Sequence, residues 1–194
     1  MIIKKFVLGT ASTNVYLLIQ DKSAILIDCQ EPEVILDYLE KNKIKLKAIL
    51  VTHGHFDHTD GLKLLKDKTN AVIYMNKEDL TAPYGTDVKV DKSLKDNKTL
   101  KLNGLKIKVI FTPGHTRGSV AFYIKEKDIL FSGDTLFARS IGRFDFAGSS
   151  YEEIISSLKN KLFKLPENTK ILPGHGPEST IEKTRKYLSK SLPI

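Results

Sequence analysis

Thr52-His53-Gly54-His55-Phe56-Asp57-His58-Thr59-Asp60-Gly61 places three imidazoles and a carboxylate within the six positions from His53 to His58. The run before it, Ala48-Ile49-Leu50-Val51, has the length and composition of a buried strand. The run after it, Gly61-Leu62-Lys63-Leu64-Leu65-Lys66, spaces its leucines as a helix does. The cluster therefore sits in a strand-to-helix connection, where a rigid scaffold commonly presents functional groups. Histidines at i and i+2 with a glycine between them can turn both rings to one point in extended backbone. Asp57 and His58, at the start of the helix, can face a second point close by. The pattern predicts two metals. A reading in which Asp57 only caps the helix and Asp60 complements its dipole leaves the imidazoles unexplained, in a chain with just five histidines.

The other two histidines follow the same plan. His115 lies in Phe111-Thr112-Pro113-Gly114-His115-Thr116 and His175 in Ile171-Leu172-Pro173-Gly174-His175-Gly176-Pro177, each just beyond an apolar strand. Asp134 is placed likewise in Leu130-Phe131-Ser132-Gly133-Asp134-Thr135. Each candidate has a glycine beside it or one residue away, so the backbone can turn sharply into a shared mouth. Proline-glycine dipeptides make turns without any metal. Four independent placements of ligand-type side chains after strands are another matter, and every histidine of the protein is used.

A chain of 194 residues can bury a sizeable core as one domain. Hydrophobic content of 41% against 28% charged is that of a globular chain rather than a disordered one. The net charge of +8 raises the question of an anionic partner. The basic residues are mostly scattered lysines without interleaved aromatics, which favours a solvated surface over a nucleic-acid track. One cysteine, Cys29, excludes an internal disulfide and suits a reducing compartment. No stretch approaches the roughly 20 apolar residues of a membrane span, and Gly9–Asn14 breaks the N-terminal apolar run too early for a signal peptide. A cytoplasmic location is expected.

Along the chain, strands are predicted at Ile2–Leu8, Val15–Ile19 and Ala24–Asp28, then a helix from Glu31 to about Lys41 with Pro32 in its first turn. The strand Ala48–Val51, the histidine cluster, a helix to about Lys66 and the strand Ala71–Tyr74 follow. Asn76 to Asn97 reads as a short helix and a long loop. The second half predicts strands at Leu105–Phe111, Val120–Ile124, Asp128–Phe131 and Lys170–Leu172, with helices at Tyr151–Phe163 and Glu178–Leu188. Strands then a helix, twice over, predicts two sheets packed face to face with helices outside.

His53-x-His55-x-Asp57-His58, followed by His115, Asp134 and His175, resembles the metallo-β-lactamase superfamily over essentially the full chain. Within it, Thr112-Pro113-Gly114-His115-Thr116-x-Gly118-Ser119 and Gly133-Asp134-Thr135-Leu136-Phe137-Ala138-Arg139-Ser140-Ile141-Gly142-Arg143 resemble the glyoxalase II-like hydrolases. The resemblance implies an α/β fold of one domain over residues 1–194. That fold is a four-layer αββα sandwich, two mixed β-sheets flanked by helices, with metal ligands on loops along one edge of the sheets. It assigns His53, His55 and His115 to a first metal and Asp57, His58 and His175 to a second, with Asp134 bridging. Three nitrogen ligands suit a catalytic zinc site with room for water. Two cations roughly 3.5–4 Å apart clamp a bridging hydroxide and a substrate oxygen, which gives Asp57 and Asp134 a catalytic part. Nitrogen and oxygen donors without thiolate suit two zinc ions, and also iron or manganese.

The expected activity is hydrolysis of an anionic small-molecule thioester, S-D-lactoylglutathione or a smaller relative. A thiolate leaves readily, so no strong general acid is needed, in keeping with the absence of a spare histidine. Arg143 is a candidate contact to an anionic substrate, or a partner of Asp145 that braces its own loop. Tyr84 is a candidate to line the site or to anchor its loop. Asp60, standing where the family often has glycine, is expected to orient a ligand. The chain ends soon after Glu178–Leu188, without the C-terminal helical domain that contacts glutathione in glyoxalase II proper, so hydrolysis is expected with the thiol left open. The main rival is a persulfide dioxygenase with one iron, which Gly142-Arg143-Phe144-Asp145-Phe146 also resembles. A lactonase or nuclease of the same superfamily comes after it. Cys29 is expected to be a small buried apolar residue.

Overall fold

The computed structural model describes residues 1–80 and 89–194. Its first half builds a sheet from β1 (Ile2–Leu8), β2 (Thr13–Gln20), β3 (Ser23–Ile27), β4 (Lys45–Leu50), β5 (Val72–Met75) and β6 (Lys92–Ser93), hydrogen-bonded in that order. The three pairs from β3 to β6 are parallel and the first two antiparallel. A parallel neighbour requires a crossover. Here α1 (Pro32–Lys41) makes the crossover from β3 to β4. Two helices, α2 (Phe56–Thr59) and α3 (Leu62–Thr69), make the next, from β4 to β5.

The second sheet runs β12-β11-β10-β9-β8-β7, from β7 (Thr99–Leu102), β8 (Leu105–Phe111), β9 (Val120–Ile124), β10 (Ile129–Gly133), β11 (Lys170–Pro173) and β12 (Ser179–Thr180). Its one parallel pair, β10 with β11, is bridged by α4 (Tyr151–Asn160), and α5 (Ile181–Leu188) follows β12. Both sheets are thus mixed.

The period-two alternation of β2 and β3 explains the layering. Tyr16, Leu18, Ile25 and Ile27 point to the second sheet, where they meet Val109, Phe122 and Phe131. Leu17, Ile19, Ala24 and Leu26 point the other way, to Ile35 and Leu39 of α1 and Leu62 and Leu65 of α3. With both faces covered, β2 needs no polar side, and its uninterrupted apolar run follows. The second sheet repeats the arrangement, its outer face packing Ala121, Leu130 and Ile171 against Leu158 of α4 and Ile181 and Leu188 of α5. The order helix, sheet, sheet, helix is the four-layer αββα sandwich.

Differences from the sequence reading have local causes. The second-half helices are shorter than expected: α4 stops at Asn160 before a 3-10 turn, Leu162–Lys164. Ser179–Thr180 pairs with β11 instead of opening α5, and the Thr180 hydroxyl then caps that helix at Lys183 N. β7 was not expected at all. Its signal is the Asn103-Gly104 pair, both at positive φ, which closes a two-residue hairpin onto β8. Cys29 is buried beneath the histidine loop, and burial pushes its thiol pKa up, as befits an apolar packing role. No helix among the described residues is long and apolar enough to cross a membrane.

Phe122 is fully buried between the sheets. Phe122→Ala is expected to cost about 3–5 kcal/mol of stability through lost contact and a residual cavity. Denaturant unfolding would show this as a lower midpoint at an unchanged slope.

Candidate metal centre

Four loops converge at one rim of the sandwich, each leaving the end of a strand: β4 delivers His53 to His58, β8 His115, β10 Asp134 and β11 His175. His53, His58 and His115 are buried, Asp57 and Asp134 nearly so, and His55 and His175 half-buried.

The seven side chains expected from the sequence come together as two donor sets. In the first, His55 Nδ1 lies 3.1 Å from His53 Nε2 and 2.9 Å from His115 Nε2. In the second, His58 Nε2, His175 Nε2 and Asp57 Oδ2 form a triangle with sides of 3.3, 3.3 and 3.4 Å. Asp134 stands between them, Oδ1 at 3.5 Å from His58 Nε2 and Oδ2 at 3.3 Å from His175 Nε2 and 3.7 Å from His115 Nε2. Donors held about 2.0–2.1 Å from one ion at tetrahedral angles are about 3.3–3.4 Å apart. The cluster has that spacing. Asp134 Oδ1 is also buried without a hydrogen-bond partner, as expected of an oxygen that faces a cation. The donor chemistry and geometry fit a pair of divalent ions.

The outward ring nitrogens explain why the inward ones are free to ligate. His115 Nδ1 donates to the carbonyl of Arg143 at 2.8 Å, and His175 Nδ1 to that of Ala11 at 3.1 Å. A ring that donates from Nδ1 presents the lone pair of Nε2 inward. His58 Nδ1 donates to Asp28 Oδ2 at 2.8 Å. His53 Nδ1 meets the Thr52 hydroxyl at 3.0 Å, which itself donates to the same Asp28 oxygen at 2.8 Å. One carboxylate therefore orients a ring in each set. Asp28 can reach both because it sits at positive φ after β3, with its other oxygen taking Thr52 N at 2.7 Å. The Thr13 hydroxyl donates to Asp57 Oδ2 at 2.8 Å.

The electrostatics divide along the same line. Burial and the neighbouring rings hold His53 well below its ordinary pKa, and burial with His115 lowers His55 to about 4, so these rings are neutral. Burial opposes charge on His175 too, yet Asp134 and Asp57 push it up to about 10. Asp57 itself is held low despite burial by His175 and His58. The carboxylate end of the cluster attracts positive charge and the nitrogen end offers neutral imidazoles.

One expectation changes. Asp60 is exposed at the end of α2 and orients no ligand; it follows the buried residues of a four-residue helix and so points outward. Asp28, with Thr52 as its relay, is the orienting residue that the sequence reading missed. Its only signal was a carboxylate at a strand end, beside the strand that carries the cluster. Asp79, also missed, hydrogen-bonds to both loops of the first set. Arg143 sits at the mouth of the site, where its guanidinium pairs with Asp145 at 2.9 and 2.8 Å and lies 4.1 Å over the ring of Phe146. Tyr84 lies outside the described residues. The cleft above the centre has a volume of about 640 Å³, and Ala11, Phe56, Phe137, Ile141 and Phe146 give it apolar walls.

Comparison with known proteins agrees with this geometry. The family described as the metallo-beta-lactamase superfamily matches residues 8–175. A probable metallo-hydrolase of Bacillus subtilis, YqgX, is 32% identical, with 92% of each chain covered. The hydroxyacylglutathione hydrolase GloC of Haemophilus influenzae is 33% identical over 86% of each chain. Among solved structures, the BLEG-1 B3 metallo-beta-lactamase superposes with a TM-score of 0.89 at 33% identity, covering 95% of this chain and 97% of that one. ETHE1 from Myxococcus xanthus superposes at 0.86 with 26% identity, covering 96% and 83%. The di-iron-bound form of TTHA1623 superposes at 0.82 with 32% identity, covering 98% of each. With the family match spanning most of the sequence and the architecture shared along it, the chain belongs to the metallo-β-lactamase superfamily of metallohydrolases.

Proposed function

We propose that the protein is a dinuclear metal-dependent thioesterase of the glyoxalase II type, with His53, His55 and His115 holding one cation and Asp57, His58 and His175 the other. Asp134 would serve both. The observation that carries this reading is that two complete donor sets share one carboxylate whose buried oxygen has no hydrogen-bond partner. When bound, the pair of divalent ions supplies an activated water and polarises the acyl carbonyl. Zinc suits the nitrogen and oxygen donors, as do iron and manganese.

The chain's own residues then do the rest. Asp28 and the carbonyls of Arg143 and Ala11 hold four imidazoles in the tautomer that ligates. Thr13 fixes the Asp57 carboxylate from behind. The walls formed by Phe56, Phe137, Ile141 and Phe146 offer apolar contact to the hydrocarbon part of an acyl thioester. No side chain is required to protonate the leaving group, since a thiolate departs unaided. The hydroxyacylglutathione hydrolase among the relatives supports this choice of substrate class. The net charge of +8 supports an anionic substrate through long-range steering, with Arg143 and Tyr84 as its candidate contacts.

A persulfide dioxygenase with a single iron is the second reading, favoured by the likeness to ETHE1. Oxygen uptake separates the two. The iron-loaded protein is expected to consume no oxygen with glutathione persulfide while the metal-loaded protein hydrolyses S-D-lactoylglutathione or a smaller acyl thioester. The reverse result establishes the dioxygenase.

Asp134→Ala is expected to lose metal and activity together, elemental analysis falling below two ions per chain and turnover by at least about 100-fold. Normal metal content with normal turnover would refute the bridging role. Asp28→Asn keeps the shape of the orienting residue but not its charge. It is expected to weaken metal binding about 10–100-fold in competition with a chelator, with little change in fold by circular dichroism.

A further inference from the structure

Asp79 belongs to neither donor set, and the mechanism above does not use it. It is fully buried, on a 3-10 turn, Lys77–Asp79, that follows β5. A carboxylate is kept from water at high cost unless donors replace its hydration. Among the described residues Asp79 has three such donors. Its Oδ2 accepts from Gly54 N at 2.9 Å and from the Thr116 hydroxyl at 2.7 Å, and its Oδ1 accepts from Gly118 N at 2.7 Å.

The identity of those donors is what matters. Gly54 is the residue between His53 and His55, and Thr116 is the residue after His115. The first donor set is assembled from loops that are 60 residues apart between His55 and His115, and one carboxylate is fastened to both. The Thr116 hydroxyl is held in turn by Ser119 Oγ at 2.7 Å, so it is committed to its bond with Asp79. The approach is close: a Cβ at Gly118 would lie 2.5 Å from Asp79 Cγ and 2.6 Å from Oδ1. Only glycine brings the backbone N–H near enough. None of these contacts reaches Asp57, His58 or His175, which are held instead by Thr13, Asp28 and the carbonyl of Ala11.

We propose that Asp79 is a positioning residue for the first metal alone. It holds the His53-Gly54-His55 loop and the His115 loop at the separation at which their three nitrogens share one cation. The inference rests on the dinuclear reading for its second-site control. An amide could not replace the carboxylate, because one of its two polar atoms is a donor and would face a backbone N–H or the hydroxyl.

The test is Asp79→Asn in the full chain, titrated with Co²⁺ and followed by elemental analysis and by the visible ligand-field spectrum. Expected is a loss of affinity on the order of 10–100-fold for the ion bound by three nitrogens, with the other ion held as in wild type. A residue that merely stabilised the fold would weaken both ions in parallel with the melting temperature, and that result overturns the proposal. So does an unchanged affinity at the three-histidine site. Thr116→Val provides the same readout with the carboxylate and the side-chain shape retained, should Asp79→Asn not fold. It is expected to weaken the same ion selectively, about tenfold. A wild-type chain that binds a single ion refutes the dinuclear reading instead, and the affinity of the three-histidine site in the two variants still decides the role of Asp79.

Discussion

Lone pairs aimed at one another repel, and the rim of this molecule concentrates them. Five ring nitrogens and three carboxylate oxygens crowd together with neighbouring donor atoms 2.9–3.7 Å apart. Among the described residues no lysine or arginine is buried to oppose them; the charged side chains behind the cluster, Asp28 and Asp79, are carboxylates. Such an arrangement is stable only around cations or with protons in their place. Every other feature of the molecule can be read as the framework that enforces this crowding.

The framework works by strand ends. β4, β8, β10 and β11 come from both sheets, and only a face-to-face sandwich brings their ends to one rim. The inter-sheet layer of Tyr16, Ile25, Ile27, Val109, Phe122 and Phe131 sets the distance between the sheets, and so between the ligand loops. Hydrogen bonds then refine what packing leaves loose. Asn14 donates to the carbonyls of Pro173 and Gly176, and Tyr16 to that of Pro173, which fastens the His175 loop to the opposite sheet. A core residue and a site residue thus share one strand, β2.

The fold and the seven converging side chains were legible because each leaves a local trace. The apolar runs at Ile2–Leu8, Leu105–Phe111 and Val120–Ile124 are strands within those very bounds. Histidines placed just after strands announce a shared mouth. Asp28, Thr52 and Asp79 were not legible, since a lone carboxylate or hydroxyl acquires its role only from what the fold brings opposite it. Asp79 meets Thr116 across 37 positions, and Asp28 meets His58 across 30. Asp60 misled for the converse reason: it was near the cluster in sequence and faces away from it in space. β7 was missed because Thr99–Leu102 is short and carries a lysine, although its Asn-Gly turn was in plain view.

The outermost strands have a bearing on the excess of positive charge. Among the described residues, each sheet ends in strands whose backbone groups have no strand neighbour on one side, an invitation to pair with another copy. Here β1 carries exposed Lys4 and Lys5, β6 carries Lys92 and β7 carries Lys101, while β12 is only two residues long. Like charges set along these margins repel a second molecule before its strands can zip to them. Part of the basic character therefore serves colloidal behaviour, keeping concentrated protein from knitting into extended sheets, and asks for no anionic ligand.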